Sequence, residues 1–134
     1  AVLNAKLPLL DQYNAARQNA ARKYSAAFEG HKNIIAPSIC DICDCHVFHQ
    51  YTLRIIDADR DGLMQHLLDK GIPCAIYYPI PLHSQKAYMD ARYKEADFPV
   101  TNLLAKQVIS LPMHTELDDE QIKFITDSVL EYLK

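Results

Sequence analysis

Apolar side chains recur at helical spacing through the first quarter of the chain. They fall every three or four residues, with one arginine among them, at Leu3, Leu7, Leu10, Tyr13, Arg17, Ala20, Tyr24 and Phe28. This period predicts helix over residues 2–29. Pro8 interrupts the pattern, because proline lacks an N–H and its ring clashes with the preceding turn. We therefore expect a short helix ending near Leu7, then a longer helix with Pro8 in its first turn and Gly30 as its stop.

Strand and helix patterns alternate through the middle of the chain. Asn33–Ala36, His46–Ile56 and Ile72–Tyr77 are rich in β-branched, aromatic or apolar residues and predict strands. Between the last two, Asp59 is a candidate N-cap for a helix over Arg60–Lys70. We expect the inward face of that helix to hold Leu63, Met64, Leu67 and Leu68. The β-α-β succession predicts an α/β sandwich with helices on one face of a small sheet.

The last third begins with a long irregular segment, residues 79–99, which contains three prolines. A loop of this length in a compact domain is usually functional. We then expect a short helix at Val100–Gln107, a brief strand at Val108–Leu111 and a final helix over Asp119–Leu133. The acidic start of the final helix suits its positive end. Its buried stripe is predicted to be Ile122, Ile125, Val129 and Leu133.

Composition narrows the class of protein. The chain has 134 residues, 49% hydrophobic and 23% charged, which fits one globular domain. The formal net charge of −3 argues against a nucleic-acid partner held on a basic face. No apolar run approaches the roughly 20 residues that span a bilayer. Three of the four cysteines, Cys40, Cys43 and Cys45, crowd together in a poor disulfide framework, so we expect reduced thiols in a cytoplasmic protein.

Two stretches resemble metal-binding motifs. Asp57–Gly62 matches the opening of an EF-hand calcium loop, but the twelfth position, which should be a bidentate glutamate, is Leu68. We interpret that stretch as an acidic turn that caps a helix. The second cluster combines zinc-ligand types at tight spacing and defines an alternative hypothesis, a small zinc-binding interaction module that uses Cys40, Cys43, Cys45 and His46. The competing interpretation of the same residues is a variable surface loop whose thiols are reduced.

One segment carries side chains suited to a ligand. Tyr77, Tyr78 and His83 stand beside two prolines after a predicted strand. Tyrosine combines an apolar ring with one hydroxyl, and histidine can donate or accept, so the segment suits a sugar or phosphate ligand. The alternative is that the tyrosines are core residues and the histidine a surface one. The sequence has no glycine-rich phosphate loop and no nucleophile elbow, and no lysine stands in a context that would desolvate it for Schiff-base chemistry.

Four ordered segments resemble the DegT/DnrJ/EryC1/StrS aminotransferases. Gly71–Gln85 resembles the family signature G-I-x-x-x-x-x-Y-P-x-P-L-H-x-Q, and residues 49–54 resemble its H-x-Y-x-x-R strand. Residues 98–117 resemble its F-P-x-(helix)-S-L-P-x-x-x-x-L segment. Residues 1–7 resemble the helix that follows its R-x-D-x-x-Q-A motif. Together the four segments cover essentially the whole chain.

The resemblance implies a fold and a reaction. It implies the C-terminal small domain of a fold type I PLP-dependent transferase, with residues 1–30 as connecting helices and residues 31–134 as a domain with a small, mostly antiparallel sheet. The parent enzyme would be a homodimer that transfers an amino group, usually from glutamate, to a keto group of a nucleotide-linked sugar. Among such enzymes the chain resembles those that aminate UDP-linked 3-keto-N-acetylhexosamine or its uronic acid for cell-surface polysaccharide such as lipopolysaccharide.

The same resemblance assigns binding residues. Tyr77, Tyr78 and His83 are expected to line the sugar side when the small domain closes over the nucleotide-sugar. His49 is expected on an inner strand, where it either contacts the ligand or packs. Arg54 is expected to pair with an acidic side chain or to meet a ligand anion. No residue of this chain is expected to be catalytic, to bind PLP or to bind a metal.

The lysine that binds PLP is expected upstream of Ala1. The sequence opens directly into a helical pattern without an initiator methionine, which is typical of a chain whose N-terminal part is missing and equally of a processed or tag-cleaved protein. We therefore expect the chain alone to be inactive in transamination. A third hypothesis, a free-standing α/β binding domain, requires no such upstream part.

Overall fold

In the computed structural model, which describes residues 1–38 and 45–134, the chain opens with two helices joined by a 3₁₀ turn. Helix α1 spans Val2–Lys6, the turn Leu7–Leu9, and helix α2 Leu10–Phe28. Pro8 lies at the start of the 3₁₀ turn, where its missing N–H breaks no helical hydrogen bond. Gly30 follows α2 with φ of 72°, a left-handed conformation that glycine adopts without steric penalty.

Three short strands form an antiparallel sheet in the order β1-β2-β3. They are β1 at Ile34–Ile35, β2 at Tyr51–Ile55 and β3 at Val108–Leu111. Facing residues of an antiparallel pair project to the same side of the sheet. One side is therefore apolar, and its paired residues are Ile34 with Ile55, Leu53 with Ile109, and Tyr51 with Leu111.

Helices cover that apolar side. Helix α2 packs there together with α3, Arg60–Asp69, and α5, Asp119–Tyr132. The buried core joins sheet and helices in one cluster, which includes Tyr24, Phe28, Tyr51, Leu53, Leu63, Leu67, Ile109, Ile125 and Val129. The predicted α/β class, with a small antiparallel sheet and helices on one face, is confirmed. Helix α4, Pro99–Gln107, leads directly into β3 and contacts β2.

Polar groups at the helix ends follow the sequence prediction. Asp59 caps α3 and accepts a hydrogen bond from the Gly62 amide at 3.0 Å, so the acidic stretch around it is a helix-capping turn. Asp118 and Gln121 form a reciprocal capping box at the start of α5. Lys70, the residue directly after α3, pairs with Glu131 on α5 at 2.6 Å, which connects the ends of the two helices at the surface.

The three strands predicted in the middle of the chain are all shorter than their sequence pattern indicates, and Asn33–Ala36 forms a strand only at Ile34–Ile35. In Ile72–Tyr77 only Ala75 forms a bridge, to Ser110 of β3, because Pro73 has no N–H to donate to a ladder. The strand predicted over residues 46–56 begins only at Tyr51. The chain turns at Phe48, whose φ of 48° is incompatible with a strand.

Some apolar residues remain at the surface. Leu68 on α3 is 41% exposed, although the pattern predicts it to face inward. Leu3, Leu7 and Leu10 continue the buried stripe of α2 toward the N-terminus but are themselves exposed. Within residues 1–38 and 45–134, none of the helices combines the length and the apolar character needed to cross a bilayer.

Candidate functional site

The side of the sheet opposite the core is polar. The alternation along β2 places Thr52 and Arg54 there, paired with Ser110 and Val108 of β3. The hydroxyls of Thr52 and Ser110 lie 2.8 Å apart and share a hydrogen bond. Residues of this side reach two neighbouring cavities, which we call the tyrosine cavity and the histidine cavity.

The tyrosine cavity lies between the segment after Ala75 and helix α4. It has a volume of about 570 Å³. Its wall is mostly apolar, and the polar groups come from two tyrosines and from the side chains of Gln85 and Thr101. The lining residues are Tyr77, Tyr78, Ile80, Pro81, Leu82, Gln85, Thr101, Leu104, Ala105 and Val108. Apolar walls with a few polar groups are typical of small-molecule sites.

The histidine cavity lies where β2 begins and β3 ends. It has a volume of about 320 Å³ and is lined by His49, Gln50, Pro73, Cys74, Ala75, Tyr77, Ser110, Leu111, Pro112, Met113 and His114. The Cys74 thiol donates to the Met64 carbonyl at 3.7 Å, and burial raises its pKa. A thiol with a raised pKa is a poor nucleophile. The imidazoles of His49 and His114 can form hydrogen bonds with a ligand at this cavity, and Nδ1 of His114 also accepts from the Glu116 amide at 3.2 Å.

Tyr77 belongs to both cavities. Its side chain lies in the wall that the tyrosine cavity and the histidine cavity share. Tyr78 follows it across a cis peptide bond and is 75% exposed, against 47% for Tyr77. The two rings meet edge to face, with centroids 6.0 Å apart. The tyrosines are thus surface groups beside cavities, and the alternative that they belong to the core is wrong.

His83 lines a different cavity from the one that both tyrosines line. Its ring stacks on Phe98 with centroids 4.3 Å apart, and its buried Nε2 has no hydrogen-bond partner among residues 1–38 and 45–134. It lines a separate cavity of about 520 Å³ with Ser84, Met89, Asp90, Ala91, Tyr93 and Glu95. In that cavity, hydrogen bonds from Arg92 lower the pKa of the Asp90 carboxyl. The structure therefore does not place His83 in the same cavity as Tyr77 and Tyr78.

Arg54 contacts an amide. Its Nε and Nη2 donate to Oε1 of Gln107 at 3.2 and 2.9 Å. The sequence predicts a carboxylate or a ligand anion as its partner. The register explains the difference, since Arg54 faces Val108 and so reaches the end of α4, where Gln107 is the available acceptor.

The sequence analysis did not identify two residues near the site. His114 lies in the wall of the histidine cavity, and the only signal for it was its position directly after β3. Arg17 on α2 donates through Nη1 to the carbonyl oxygens of Phe48, His49 and Met113. Its place among the apolar positions of the helical stripe was a usable signal, because a charge there needs acceptors from neighbouring segments.

The cysteine cluster falls mostly outside the described residues. Cys40 and Cys43 lie between the described ranges, so the zinc hypothesis is not tested by them. Cys45 is disulfide-bonded. This differs from the sequence analysis, which predicted a reduced thiol because the protein was expected to be cytoplasmic. His46 accepts the Phe48 amide through Nδ1 at 3.0 Å. Within residues 1–38 and 45–134, no group of three or more potential ligands is arranged for a metal ion.

The lysines and carboxylates of the described residues are not buried. PLP enzymes hold their cofactor as a Schiff base on a desolvated lysine. Every lysine of this chain is exposed or half-buried. The buried polar residues of the described ranges are Ser110, Thr126 and Ser128, so no buried carboxylate is available there for the pyridine nitrogen.

A family model matches nearly all of the chain. The model described as the DegT/DnrJ/EryC1/StrS aminotransferase family covers residues 1–130. Among curated proteins, a UDP-N-acetyl-3-dehydro-alpha-D-glucosamine 3-aminotransferase from Acidithiobacillus ferrooxidans is 39% identical over 90% of this chain and 31% of its own length. A UDP-2-acetamido-2-deoxy-3-oxo-D-glucuronate aminotransferase from Pseudomonas aeruginosa is 37% identical over 93% of this chain and 33% of its own length.

A solved structure gives the same result for the fold. The crystal structure of S. venezuelae DesV in complex with a ketimine intermediate superposes with a TM-score of 0.91 at 32% sequence identity. The match covers 99% of this chain and 35% of that chain. The chain thus spans about a third of the length of the relatives that it matches.

Proposed function

The chain belongs to the DegT/DnrJ/EryC1/StrS aminotransferase family, and from this we propose that it is the substrate-covering part of a longer PLP-dependent sugar aminotransferase. The parent enzyme would transfer an amino group from glutamate to a keto group of a nucleotide-linked sugar. The observation that carries the proposal is Tyr77, which lies in the wall shared by the mostly apolar tyrosine cavity and the histidine cavity, where polar side chains form a larger share of the wall. A nucleotide-linked sugar has two corresponding parts, because a flat base lies at one end and a hydroxyl-rich ring at the other.

The tyrosines and His49 are the proposed contacts to the substrate. Exposed aromatic rings beside an apolar cavity suit stacking on a base or on the apolar face of a sugar. The hydroxyl of Tyr77 and the imidazole of His49 can donate to sugar hydroxyls or phosphate oxygens. Arg54 is bonded to Gln107, so its proposed role is to hold the end of α4 against the sheet. Because His83 stacks on Phe98, we propose that it shapes residues 79–98 and does not contact the substrate directly.

The cofactor would be held elsewhere in the parent enzyme. When bound, PLP supplies an electron sink for amino transfer. Because this chain has no buried lysine, we propose that it contributes only binding, orientation and exclusion of water. The division into connecting helices over residues 1–30 and a domain over residues 31–134, the homodimer and the cytoplasmic location belong to the same proposal. Supplied with PLP, glutamate and a keto sugar, the chain alone should show no amino transfer.

The proposed substrate is a UDP-linked 3-keto sugar. Two similar proteins are named for that chemistry, a 3-dehydro-glucosamine and a 3-oxo-glucuronate enzyme. We propose the same class for the parent enzyme, N-acetylhexosamine or its uronic acid, and a place in the synthesis of cell-surface polysaccharide. The apolar tyrosine cavity would then take the uracil end and the histidine cavity the sugar end.

A titration of the chain with UDP-N-acetylglucosamine tests the proposal. We expect saturable NMR shift changes at Tyr77, Tyr78 and His49, and Tyr77→Ala should weaken binding about tenfold through lost stacking. Tyr93→Ala is the matched control, because Tyr93 is an exposed aromatic residue of the separate His83 cavity. A dTDP-linked hexose titrated in parallel reports the choice of base. No saturation at millimolar concentrations, or equal weakening by both variants, would refute the proposed site.

A further inference from the structure

We propose that Arg17 is a positioning residue for the histidine cavity, because it joins the two loops that carry His49 and His114. The link to substrate binding rests on the proposed function. The joining of the two loops can be tested without a ligand.

The contacts of Arg17 converge on one nitrogen atom. Nη1 donates to the carbonyl oxygen of Phe48 at 3.1 Å and to those of His49 and Met113 at 3.3 Å each. Nη1 carries two hydrogen atoms, so at least one of them is shared between two carbonyls. Phe48 and His49 precede β2, whereas Met113 follows β3. One guanidinium therefore connects segments that lie more than 60 residues apart in sequence.

Both segments line the histidine cavity. His49 contributes one part of its wall, and Met113 with His114 contributes another. The carbonyls that Arg17 holds belong to His49 itself and to the residue directly before His114. Moving either carbonyl moves the backbone that carries the adjacent imidazole, so the Arg17 contacts constrain how far apart the two histidines lie.

The first segment needs an external partner because its backbone is unusual. Phe48 has φ of 48°, a conformation that costs a non-glycine residue of this size energy. The turn leaves the carbonyls of Phe48 and His49 pointing away from the β ladder and toward α2. A charged donor gives shorter and stronger hydrogen bonds than a neutral one. Arg17 thus stabilises the conformation that presents His49.

Neighbouring residues of α2 support the same arrangement. The Tyr24 hydroxyl, seven residues along the same face, donates to the Pro112 carbonyl at 3.0 Å. Gln18 donates to the His46 carbonyl at 3.2 Å. Helix α2 therefore contacts both loops at several points, and Arg17 contacts both at once.

The first test measures loop order by NMR relaxation in Arg17→Met, which removes the donors and keeps much of the side-chain volume. We expect backbone order parameters for residues 48–50 and 113–114 to fall below about 0.6, while α3 and α5 stay near 0.85. Arg17→Lys keeps the charge but not the planar fork and should give intermediate values. Arg22→Met, at an exposed position of the same helix, is the control and should change neither loop. Unchanged order in both loops of Arg17→Met overturns the proposal; if that variant does not fold, the same criterion applies to Arg17→Lys.

The second test connects the loops to binding. Arg17→Met should raise the Kd for UDP-N-acetylglucosamine about tenfold, the effect of losing hydrogen bonds from a charged group. If Arg17 acts through His49, its effect should largely disappear in a His49→Ala background. Fully additive effects would contradict positioning through His49. A wild-type chain that does not bind the nucleotide-sugar would refute the proposed function, and the order parameters would still decide whether Arg17 joins the loops.

Discussion

The hydroxyl of Tyr132 occupies the space that a β-carbon on Gly62 would fill. Gly62 lies in the first turn of α3 and Tyr132 is the last residue of α5, so the missing side chain lets the two helices approach. The Tyr132 ring also packs against His66, one turn further along α3, with centroids 5.4 Å apart. Packing between the helices therefore favours a residue without a β-carbon at this position, although helix propensity disfavours glycine.

Gly62→Ala should destabilise the protein despite the better helix propensity of alanine. The propensity gain is about 1 kcal/mol, whereas forcing a methyl group against Tyr132 and the Asp59 carboxylate costs about 1–3 kcal/mol. Urea unfolding followed by circular dichroism measures the difference. Tyr132→Phe removes the clashing hydroxyl, so the double variant should recover part of the loss. A Gly62→Ala protein more stable than the wild type would show that α5 can shift at no cost.

Stability should decline in alkaline solution because of two buried tyrosines. Burial raises the pKa of Tyr24, and the neighbouring Tyr51 raises it further. Burial also raises the pKa of Tyr51, and a hydrogen bond with Ser25 partly offsets this rise. A folded-state pKa above the unfolded value of about 10 means that the folded state holds its protons more tightly. Their contribution is complete below about pH 10 and is lost as pH rises further. Burial raises the pKa of Cys74 as well, which adds to the same trend.

The measurement is the free energy of unfolding in urea between pH 8 and pH 11, a window set around the ordinary tyrosine pKa of about 10. Tyr24→Phe should show a shallower decline than the wild type. A free energy that stays constant or rises above about pH 10 would contradict the prediction.

Filling the tyrosine cavity should block the proposed ligand without unfolding the domain. Ala105 lines this cavity from α4, and its carbonyl accepts a hydrogen bond from Arg60 that a side-chain change leaves in place. Ala105→Phe should weaken binding of UDP-N-acetylglucosamine by tenfold or more, while the free energy of unfolding changes by less than about 1 kcal/mol. Lys106→Phe adds the same ring at the adjacent exposed position and should bind normally. Unchanged affinity in Ala105→Phe would mean that the ligand does not enter this cavity.

Much of the fold was predictable because its elements carry strong local patterns. Ile122, Ile125, Val129 and Leu133 are buried as the helical period requires. The break near Pro8 and the stop at Gly30 follow from backbone restrictions of single residues. Family membership was predictable for another reason, namely that the matching motifs keep their order along the whole chain.

The site was predictable only in part, because its geometry depends on contacts between distant segments. The Tyr77 and Tyr78 segment was identified from its chemistry, and the tyrosine cavity beside it depends on α4, some 25 residues later. The carbonyl of Phe48 accepts a hydrogen bond from Arg17, and the local pattern indicates that Arg17 needs acceptors but not which segment supplies them. For the same reason, the separation of His83 from the tyrosines follows from its stack on Phe98 and not from its closeness in sequence.

The two sides of strand β2 face different surroundings. Tyr51, Leu53 and Ile55 lie in the core, and Thr52 and Arg54 lie on the polar side of the sheet. A slip of one residue against β3 would exchange the two sets completely, placing a guanidinium in the core and bulky apolar groups toward the cavities. A chain that packs the apolar residues of β2 into the core therefore also places the alternate residues of this strand on the polar side. Selection for a stable interior would preserve the layout of the opposite surface even in the absence of a ligand.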